Sequence, residues 1–539
     1  MAGLAAAPHA LPERATLLDR KMKGSSSRTG VVVFLLALGT SLCYIVFHVA
    51  RDLDSAAVTS YAPYLLLALA LFIALAFEFV NGFHDTANAV ATVIYTHSLE
   101  PNIAVVWSGI CNLTGVLFST GTVAFAVITL LPVELILQVS SGAGFAMVFA
   151  LLIAAILWNL GTWWFGLPAS SSHTLVGSII GVGLANQLLN QHTGTSGVDW
   201  EQAIKVLKAL LISPLVGFTI AGLLILISKS LIKFPELYKA PVNDDPPPFP
   251  IRALMVLTCT GVSFFHGSND GQKGMGLIML ILIGTVPTAY TLNHAISPAE
   301  VQDFIAASER AGRILDQHVD PKGILGPDAR EEVTDYIRTK QLQPDTILAL
   351  RELVEDIDHE VALYKEFKAV PAQDQANVRN DLYVASEAIR LMDKAHNPSF
   401  TPDERAALMN YKGHVDKATK FIPDWVKVAV ALALGLGTMV GWKRIVITVG
   451  EKIGKGHLTY AQGASAGIVT MGTIFAANLW GMPVSTTHIL SSGVAGTMAA
   501  NGSGLRFSTI RNIAAGWVFT LPAAALLSGS LYWLFRHIA

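Results

Sequence analysis

Two runs of hydroxyl side chains are the residues in this sequence best suited to bind a ligand. The first is Gly166–Thr174 (GLPASSSHT), and the second, 315 residues later, is Gly481–His488 (GMPVSTTH). In each run a proline precedes the hydroxyls and an apolar segment follows, which predicts that the hydroxyls open a helix. Unpaired N–H groups, the helix dipole and the hydroxyls all favour an oxyanion there. One run alone would more often be an ordinary helix N-cap, but the repetition favours the binding interpretation.

Two aspartates that lie within long apolar stretches form a second pair of candidates. Asp85 ends the motif GFHD at 82–85, and Asp270 ends the motif GSND at 267–270. An unpaired carboxylate at membrane depth costs about 2.5–3.5 kcal/mol even on mild insertion scales, so it usually has a functional role. Either carboxylate could bind a cation or a proton and thereby offset the charge of an incoming anion. Both motifs are also expected to break the helices that carry them.

Two further side chains accompany the aspartates. Lys273 follows Asp270 by about one helical turn, where it could pair with that carboxylate or attract the anion. His84 precedes Asp85, and three roles are open to it: proton carrier, ligand of a divalent cation, or hydrogen-bond partner of the backbone. The adjacent Ser and His of the hydroxyl runs do not align a nucleophile, base and acid, which argues against a hydrolase.

Composition indicates the elements that must position these side chains. Hydrophobic residues make up 52% of the 539, and the mean hydropathy is +0.50, as is typical of a polytopic membrane protein. Residues 296–424 hold 24 Asp and Glu and 16 Lys and Arg, which leaves only 15 and 21 for the other 410 residues. That stretch is therefore predicted to be an acidic helical soluble insertion, with helices at 346–370 and 376–395. We expect the rest to lie in the lipid bilayer and no nucleic acid to be bound.

The apolar segments recur in the same order in two halves of the chain. The expected divisions are an N-terminal tail with an extra transmembrane helix (1–62), repeat 1 (63–229), a linker (230–250), repeat 2 (251–291 and 425–539) and the insertion (296–424). Each repeat contains five segments, with the acidic motif in the first and the hydroxyl run in the fourth. Five crossings per repeat would place the basic loops on one side and invert the second repeat.

The predicted fold is therefore an all-α polytopic membrane protein, an inverted-repeat secondary transporter with broken or re-entrant helices and a small helical insertion. If the hydroxyl-headed segments only dip into the membrane and return, the number of crossings becomes even and the predicted orientation fails.

At these motifs the sequence resembles the Pit family of inorganic phosphate transporters. The family's duplicated Gly-x-Asn-Asp signature is matched by GSND at 267–270 and, with His for the usual Asn, by GFHD at 82–85. The two Pro-x-Ser-Ser/Thr-Ser/Thr-His runs and Gly437–Arg444 (GTMVGWKR) are also similar to the family. The resemblance covers nearly the whole chain outside the insertion.

The resemblance implies that phosphate is held between the acidic motifs and the hydroxyl-headed helices. The residues expected to bind it are Asp85, Thr86, Asn88, Ser170, Ser171, Ser172, Asn269, Asp270, Ser485, Thr486 and Thr487. The residues expected to couple transport to an ion are His84, Asp85, Asp270 and Lys273. Three of these, His84, Asp85 and Asp270, are also candidate ligands of a divalent metal.

The sequence is accordingly predicted to be an inorganic phosphate symporter of the bacterial inner membrane, and not an enzyme. His84 stands where sodium-coupled members have Asn, and an imidazole nitrogen is a poor ligand for sodium, so protons are the expected coupling ion. The chain looks most like the bacterial low-affinity branch, which implies phosphate uptake as a neutral divalent-metal complex, with arsenate as a mimic and no cofactor. The alternatives are a sulfate or other oxyanion permease, a sodium-coupled symporter, and a receptor with a vestigial transport core. A homo-oligomer is also open.

Overall fold

The computed structural model describes residue 18 and residues 28–53, 62–85, 87–137, 141–190, 197–241, 245–371 and 373–538. Every regular element in this part of the chain is a helix, which confirms the all-α prediction. The helices before the linker are α1 (Arg28–Leu53), α2 (Ala62–Asp85), α3 (Ala87–Tyr95), α4 (Pro101–Leu117), α5 (Thr122–Ile128), α6 (Val133–Leu137), α7 (Gly142–Trp164), α8 (Ser171–Leu189) and α9 (Trp200–Leu231).

The second half begins before the insertion and ends after it. It opens with α10 (Phe249–Thr285) and α11 (Pro287–Tyr290). The insertion contains α12 (Pro298–Gln317), α13 (Ala329–Thr339), α14 (Thr346–Tyr364), α15 (Gln375–Ala395) and α16 (Pro402–Thr419). The remaining helices are α17 (Asp424–Thr438), α18 (Lys443–Ile447), α19 (Tyr460–Leu479), α20 (Thr486–Ala500) and α21 (Phe507–Ile538).

The two acidic motifs differ in their backbone. In the first, α2 ends at Asp85 and α3 begins at Ala87, with Thr86 outside the described residues. In the second, α10 runs unbroken through residues 267–274, so the predicted break in this copy is wrong. The glycines of this motif admit a neighbouring helix instead: a Cβ at Gly267 would lie 2.1 Å from the backbone oxygen of Asn112 in α4. The continuous helix places Asp270 and Lys273 one turn apart.

The number of helices able to cross a membrane is smaller than the sequence suggested. Among the described residues, six helices are long and apolar enough, or eight if two bent pairs count as one span each. The bent pairs are α4 with α5, at 77°, and α16 with α17, at 70°. The hydroxyl-headed helices α8 and α20 are not among them. With 15 residues, α20 extends only about 22 Å, less than the roughly 30 Å of a hydrocarbon core. By length and composition α8 and α20 are not candidate spans, and the five crossings expected for each half stay a prediction.

The closest helix contacts join one half of the chain to the other. A Cβ at Gly82 in α2 would lie 2.3 Å from the backbone oxygen of Leu434 in α17. Reciprocally, a Cβ at Gly437 in α17 would lie 2.1 Å from the backbone oxygen of Phe79 in α2. Each acidic-motif helix is therefore packed at backbone distance against a helix of the opposite half.

The hydroxyl-headed helices also pack at backbone distance against helices of the opposite half. Gly181 in α8 faces α21, where a Cβ would lie 2.0 Å from the backbone oxygen of Ala525. Gly217 in α9 faces α20, where a Cβ would lie 2.4 Å from the backbone oxygen of Ile489. Thus α9, the last helix of the first half, packs on α20, and α21, the last helix of the second half, packs on α8.

The insertion packs onto the end of the membrane part opposite the basic loops. Arg379 in α15 donates to the backbone oxygen of Ile136 at 3.4 Å, and the Lys340 ammonium lies 3.0 Å from Asp199, just before α9. At the other end, Leu237, Ile453 and residues around the start of α21 share one buried apolar cluster. The predicted helices at 346–370 and 376–395 correspond to α14 and α15. The other three were missed, although α12 and α16 begin with capping boxes that are visible in the sequence.

Candidate functional site

Ser171, the first residue of α8, joins the two acidic motifs. Its hydroxyl donates to Asp85 Oδ2 at 2.5 Å and to Asp270 Oδ2 at 3.2 Å. All three side chains are buried. A hydroxyl carries one hydrogen, so the two carboxyl groups share a single donor. The first hydroxyl run therefore reaches both acidic motifs at one point.

Asp85 also receives the second hydroxyl run. Thr487 in α20 donates from Oγ1 to Asp85 Oδ1 at 2.7 Å, and His84 Nδ1 lies 3.1 Å from the same oxygen. The other ring nitrogen of His84, Nε2, lies 3.1 Å from Thr162 Oγ1 in α7. Side chains of α2, α8 and α20 thus converge on one carboxyl group, and α7 supports it through His84.

Lys273 pairs with Asp270 and contacts the first hydroxyl run. Its Nζ donates to Asp270 Oδ1 at 2.7 Å and also to Ser172 Oγ. Ser172 in turn donates to the backbone oxygen of Val484 at 2.8 Å, in the loop before α20. The ammonium is fully buried. It lies where it can neutralise one carboxylate and still face an anion bound between the two runs.

Other predicted residues have supporting contacts. Ser170 and Ser485 accept hydrogen bonds from the backbone N–H groups of His173 and His488, each at 3.2 Å, and so act as N-caps of α8 and α20. The Asn269 amide donates to Asn478 at 2.6 Å.

Among the described residues Thr486 Oγ1 is buried without a hydrogen-bond partner. Thr86 and the side chain of Asn88 lie outside the described residues.

The two hydroxyl-headed helices meet at their N-termini. The ring centroids of His173 and His488 are 4.4 Å apart, and His488 stacks on Trp517 of α21 with a centroid distance of 4.1 Å. Two helix N-termini facing one region add their partial positive charges there. An oxyanion between them would receive N–H and O–H donors from both halves of the chain.

A set of candidate cation ligands lies beside this candidate anion site. Ligand atoms of Asp85, His266 and Asp270 all lie within 4.8 Å of one another. Two carboxylates and an imidazole suit a divalent cation of intermediate hardness. His84, the imidazole predicted for this role, is not a member of the group; its ring nitrogens contact Asp85 and Thr162. The structure thus places His266 where the sequence suggested His84.

A cavity of about 340 Å³ opens beside the second hydroxyl run. Its wall includes Pro483, two residues before Ser485, together with Thr122 of α5 and Gln202 and Lys205 of α9. Lys205 provides a positive charge in that wall. The cavity lies near the end of α9 to which the insertion is bound, so an anion could reach the second run from that side.

Comparison with known proteins identifies the family. The model of the phosphate transporter family matches residues 81–528. The low-affinity inorganic phosphate transporter PitA of Escherichia coli K12 is 42% identical over 491 residues, which cover 87% of this chain and 96% of PitA. The chain belongs to the phosphate transporter family. This is a family of transporters and not of enzymes, as the sequence predicts.

Other members of the phosphate transporter family are similar over the same length. The low-affinity inorganic phosphate transporter of Buchnera aphidicola subsp. Acyrthosiphon pisum is 40% identical over 486 residues, covering 87% of this chain and 96% of that protein. The probable low-affinity inorganic phosphate transporter of Bacillus subtilis is 27% identical over 475 residues, covering 88% and 98%. A solved sodium-dependent phosphate transporter aligns with a TM-score of 0.46 and 18% identity over 88% of this chain and 100% of that one.

Sequence reasoning missed several residues at the site of this family member. His266 precedes Asp270 by one helical turn and would have been found had α10 been taken as continuous. Thr162 orients His84 from α7, and nothing in the local sequence indicates that role. Glu78, two turns before Asp85, is fully buried, and the membrane-depth argument that selected Asp85 applies to it equally.

Proposed function

We propose that this chain is an inorganic phosphate symporter of the bacterial inner membrane, coupled to protons and carrying phosphate together with a divalent cation. The observation that carries the proposal is Ser171, which links both acidic motifs to a hydroxyl-headed helix N-terminus. Anion donors and cation ligands are therefore adjacent. Its bacterial relatives carry the name of low-affinity inorganic phosphate transporters, which supports the substrate and the membrane.

The charges at the site support transport of a cation with the anion. Asp85 and Asp270 carry two negative charges if both are ionised, and Lys273 offsets one of them. A divalent cation at the carboxylates and a phosphate dianion at the helix N-termini would neutralise each other. Moving a neutral pair avoids most of the cost of placing a bare ion at membrane depth.

Carboxylates next to the hydroxyls favour phosphate over sulfate. Phosphate near neutral pH retains an O–H that can donate to Asp85 or Asp270, whereas sulfate has none. A site with acceptors beside its donors leaves a carboxylate unsatisfied when sulfate binds. We therefore assign sulfate a much lower affinity.

The exchange of helix contacts between the halves supports an inverted-repeat arrangement. Each half contributes one acidic helix and one hydroxyl-headed helix, and the site is complete only where all four meet. Such a site between related halves is the arrangement in which one half can move against the other to expose the ligand on alternate sides.

Purified protein in liposomes tests the proposed function. We expect an imposed proton gradient to drive accumulation of radiolabelled phosphate without sodium, a divalent metal to raise the rate, and excess sulfate to compete weakly. Accumulation driven only by a sodium gradient would show that the coupling ion is sodium. Strong inhibition by sulfate would favour a general oxyanion permease, and absence of any uptake would favour the receptor alternative.

Substitutions of single serines distinguish a role in phosphate binding from a role in capping the helix. Ser171→Ala is expected to weaken phosphate binding about 10–150-fold, because a hydrogen bond to a charged group contributes roughly 1.5–3 kcal/mol. Ser170→Ala removes only an N-cap and is expected to lower the free energy of unfolding by about 0.5–2 kcal/mol. Calorimetric phosphate titration and thermal unfolding of both variants check this. Unchanged affinity in Ser171→Ala would contradict the assigned role of α8.

A further inference from the structure

Glu78 is a buried carboxyl group that takes no part in the hydrogen bonds of the site described above. It lies in α2, seven residues before Asp85, and its side chain has 0% exposure. Among the described residues Oε1 has no hydrogen-bond partner, and Oε2 is approached by Asn81 Nδ2 only at 3.5 Å. A carboxylate held this way at membrane depth would be strongly unfavourable, so this environment favours the protonated, neutral form of Glu78.

Glu78 lies against the helix that carries Lys273. A Cβ at Gly274 would lie 2.3 Å from Glu78 Oε1, so the carboxyl group rests on the backbone of α10 at the residue after Lys273. Asp270 and Lys273 lie on this same helix, four residues and one residue before Gly274. The flexible four-carbon stem of a lysine allows its ammonium to reach different partners from one backbone position.

The other charged or titratable groups near α2 are few. The helices packed against α2 are α3, α7, α8, α10 and α17, and α7 has no titratable residue. Besides Glu78, the titratable residues of α2 and of the remaining four helices are Tyr64, His84, Asp85, Tyr95, His173, Arg252, Cys259, His266, Asp270, Lys273, Asp424 and Lys427. Arg252, Asp424 and Lys427 lie at the beginnings of α10 and α17, away from the motifs. Lys273 is thus the cation that Glu78 can meet within the site.

We infer that Glu78 is the proton-binding residue that sets the position of Lys273, an assignment that rests on the proposed proton-coupled phosphate transport. With Glu78 protonated, Lys273 pairs with Asp270 and contacts Ser172, as the structure shows. When Glu78 releases its proton to water on the side to which the site is open, the new carboxylate attracts the ammonium. Lys273 then leaves the hydroxyl run and becomes the counter-ion of Glu78.

This exchange couples proton and phosphate with the sign that symport requires. Protonation of Glu78 places a positive charge beside the hydroxyl runs and raises phosphate affinity. By reciprocity, bound phosphate raises the proton affinity of Glu78. Proton and phosphate therefore bind together on one side and leave together on the other.

Phosphate binding by purified full-length protein tests the assignment. The dissociation constants of wild type and Glu78→Gln are measured across a range of pH, and their ratio is taken so that the titration of phosphate itself cancels. Because Gln mimics the protonated acid, we expect equal affinities at low pH. At higher pH the wild type should weaken relative to the variant, by up to about tenfold per pH unit. A ratio that stays flat would overturn the role of Glu78.

Two control variants accompany this measurement. Glu78→Asp keeps a titratable group and should retain a pH-dependent ratio. Glu451→Gln removes a carboxylate that accepts from Tyr95 at 2.7 Å, outside the site, and should match the wild type at every pH. A pH-dependent ratio in Glu451→Gln as large as in Glu78→Gln would also overturn the assignment.

A measurement on the wild type covers the case in which Glu78→Gln does not insert. A hydrophobic carbodiimide reacts with protonated carboxyl groups in membranes, and mass spectrometry locates the adduct. We expect labelling of Glu78 to fall as pH rises and to increase when phosphate is added at fixed pH. Labelling that is unaffected or reduced by phosphate would contradict the coupling.

These results distinguish this inference from the proposed function. If the wild type shows no proton-driven uptake in liposomes, the proposed function fails. If proton-driven uptake is intact but the affinity ratio is flat, only the assignment of Glu78 fails.

Discussion

Asp270→Asn is expected to destabilise the folded protein by about 3–5 kcal/mol, because it removes the carboxylate that pairs with a fully buried ammonium. Lys273 has 1% exposure, and its Nζ lies 2.7 Å from Asp270 Oδ1. An asparagine oxygen can still accept a hydrogen bond but carries no charge. Thermal unfolding in detergent and the yield of monodisperse protein measure the loss.

A double variant shows whether the loss comes from the unpaired charge. Asp270→Asn combined with Lys273→Met removes both charges, and we expect it to recover most of the stability but no transport. The matched control is Glu309→Gln, which breaks an exposed pair with Arg313 and should leave the unfolding temperature unchanged. Full stability of the single Asp270→Asn variant would show that Lys273 does not need this counter-ion.

Asp85→Asn is expected to abolish proton-driven phosphate uptake. Asp85 accepts hydrogen bonds from Ser171 at 2.5 Å and Thr487 at 2.7 Å, so it organises the N-termini of both hydroxyl-headed helices. In asparagine an NH2 group replaces one of the two carboxylate oxygens, so at least one of the two hydroxyls loses its hydrogen-bond acceptor. The charge is lost from both hydrogen bonds and one of them loses its acceptor, so the helix N-termini that hold phosphate are no longer fixed. At roughly 1.5–3 kcal/mol for one hydrogen bond to a charged group, we expect phosphate to bind about 10–150-fold more weakly.

Liposome assays with and without gradients check the effect of Asp85→Asn. Uptake driven by a pH gradient and phosphate exchange at equilibrium should both fall, since binding and coupling depend on the same carboxylate. Glu451→Gln is again the matched carboxylate control and should transport normally. Uptake near the wild-type rate in Asp85→Asn would remove Asp85 from the site.

Local sequence rules were sufficient to locate the starts of the hydroxyl-headed helices. In both runs the order of Pro, one residue and Ser predicts a helix that begins at the hydroxyls, and α8 and α20 begin at Ser171 and Thr486. The continuity of α10 could not be predicted this way, because its glycines and polar residues are typical of a break. The helix is kept regular by α4, whose backbone packs on Gly267, and only the folded structure reveals that contact.

The role of each individual hydroxyl within a run also could not be predicted from the sequence. A helix start predicted to within one or two residues does not decide which hydroxyl caps the helix and which one points across the interface. In the first run Ser170 caps, and Ser171 and Ser172 reach Asp85 and Lys273. His266 was missed for a related reason, since its place beside Asp270 depends on an unbroken helical turn.

The tight packing of α2 on α17 cannot form until long after α2 itself has been synthesised. Gly82 is about 350 residues ahead of Leu434 and Thr438 in the chain. At the roughly 5–20 residues per second of translation, its partners emerge on the order of 20–70 s after it does. During this interval the membrane-inserted α2 lacks the helix that packs on Gly82, although α8 and α10, which lie against Asp85 and Glu78, have already been synthesised. A chain truncated before α17 would therefore leave the face of α2 that carries Gly82 exposed to lipid.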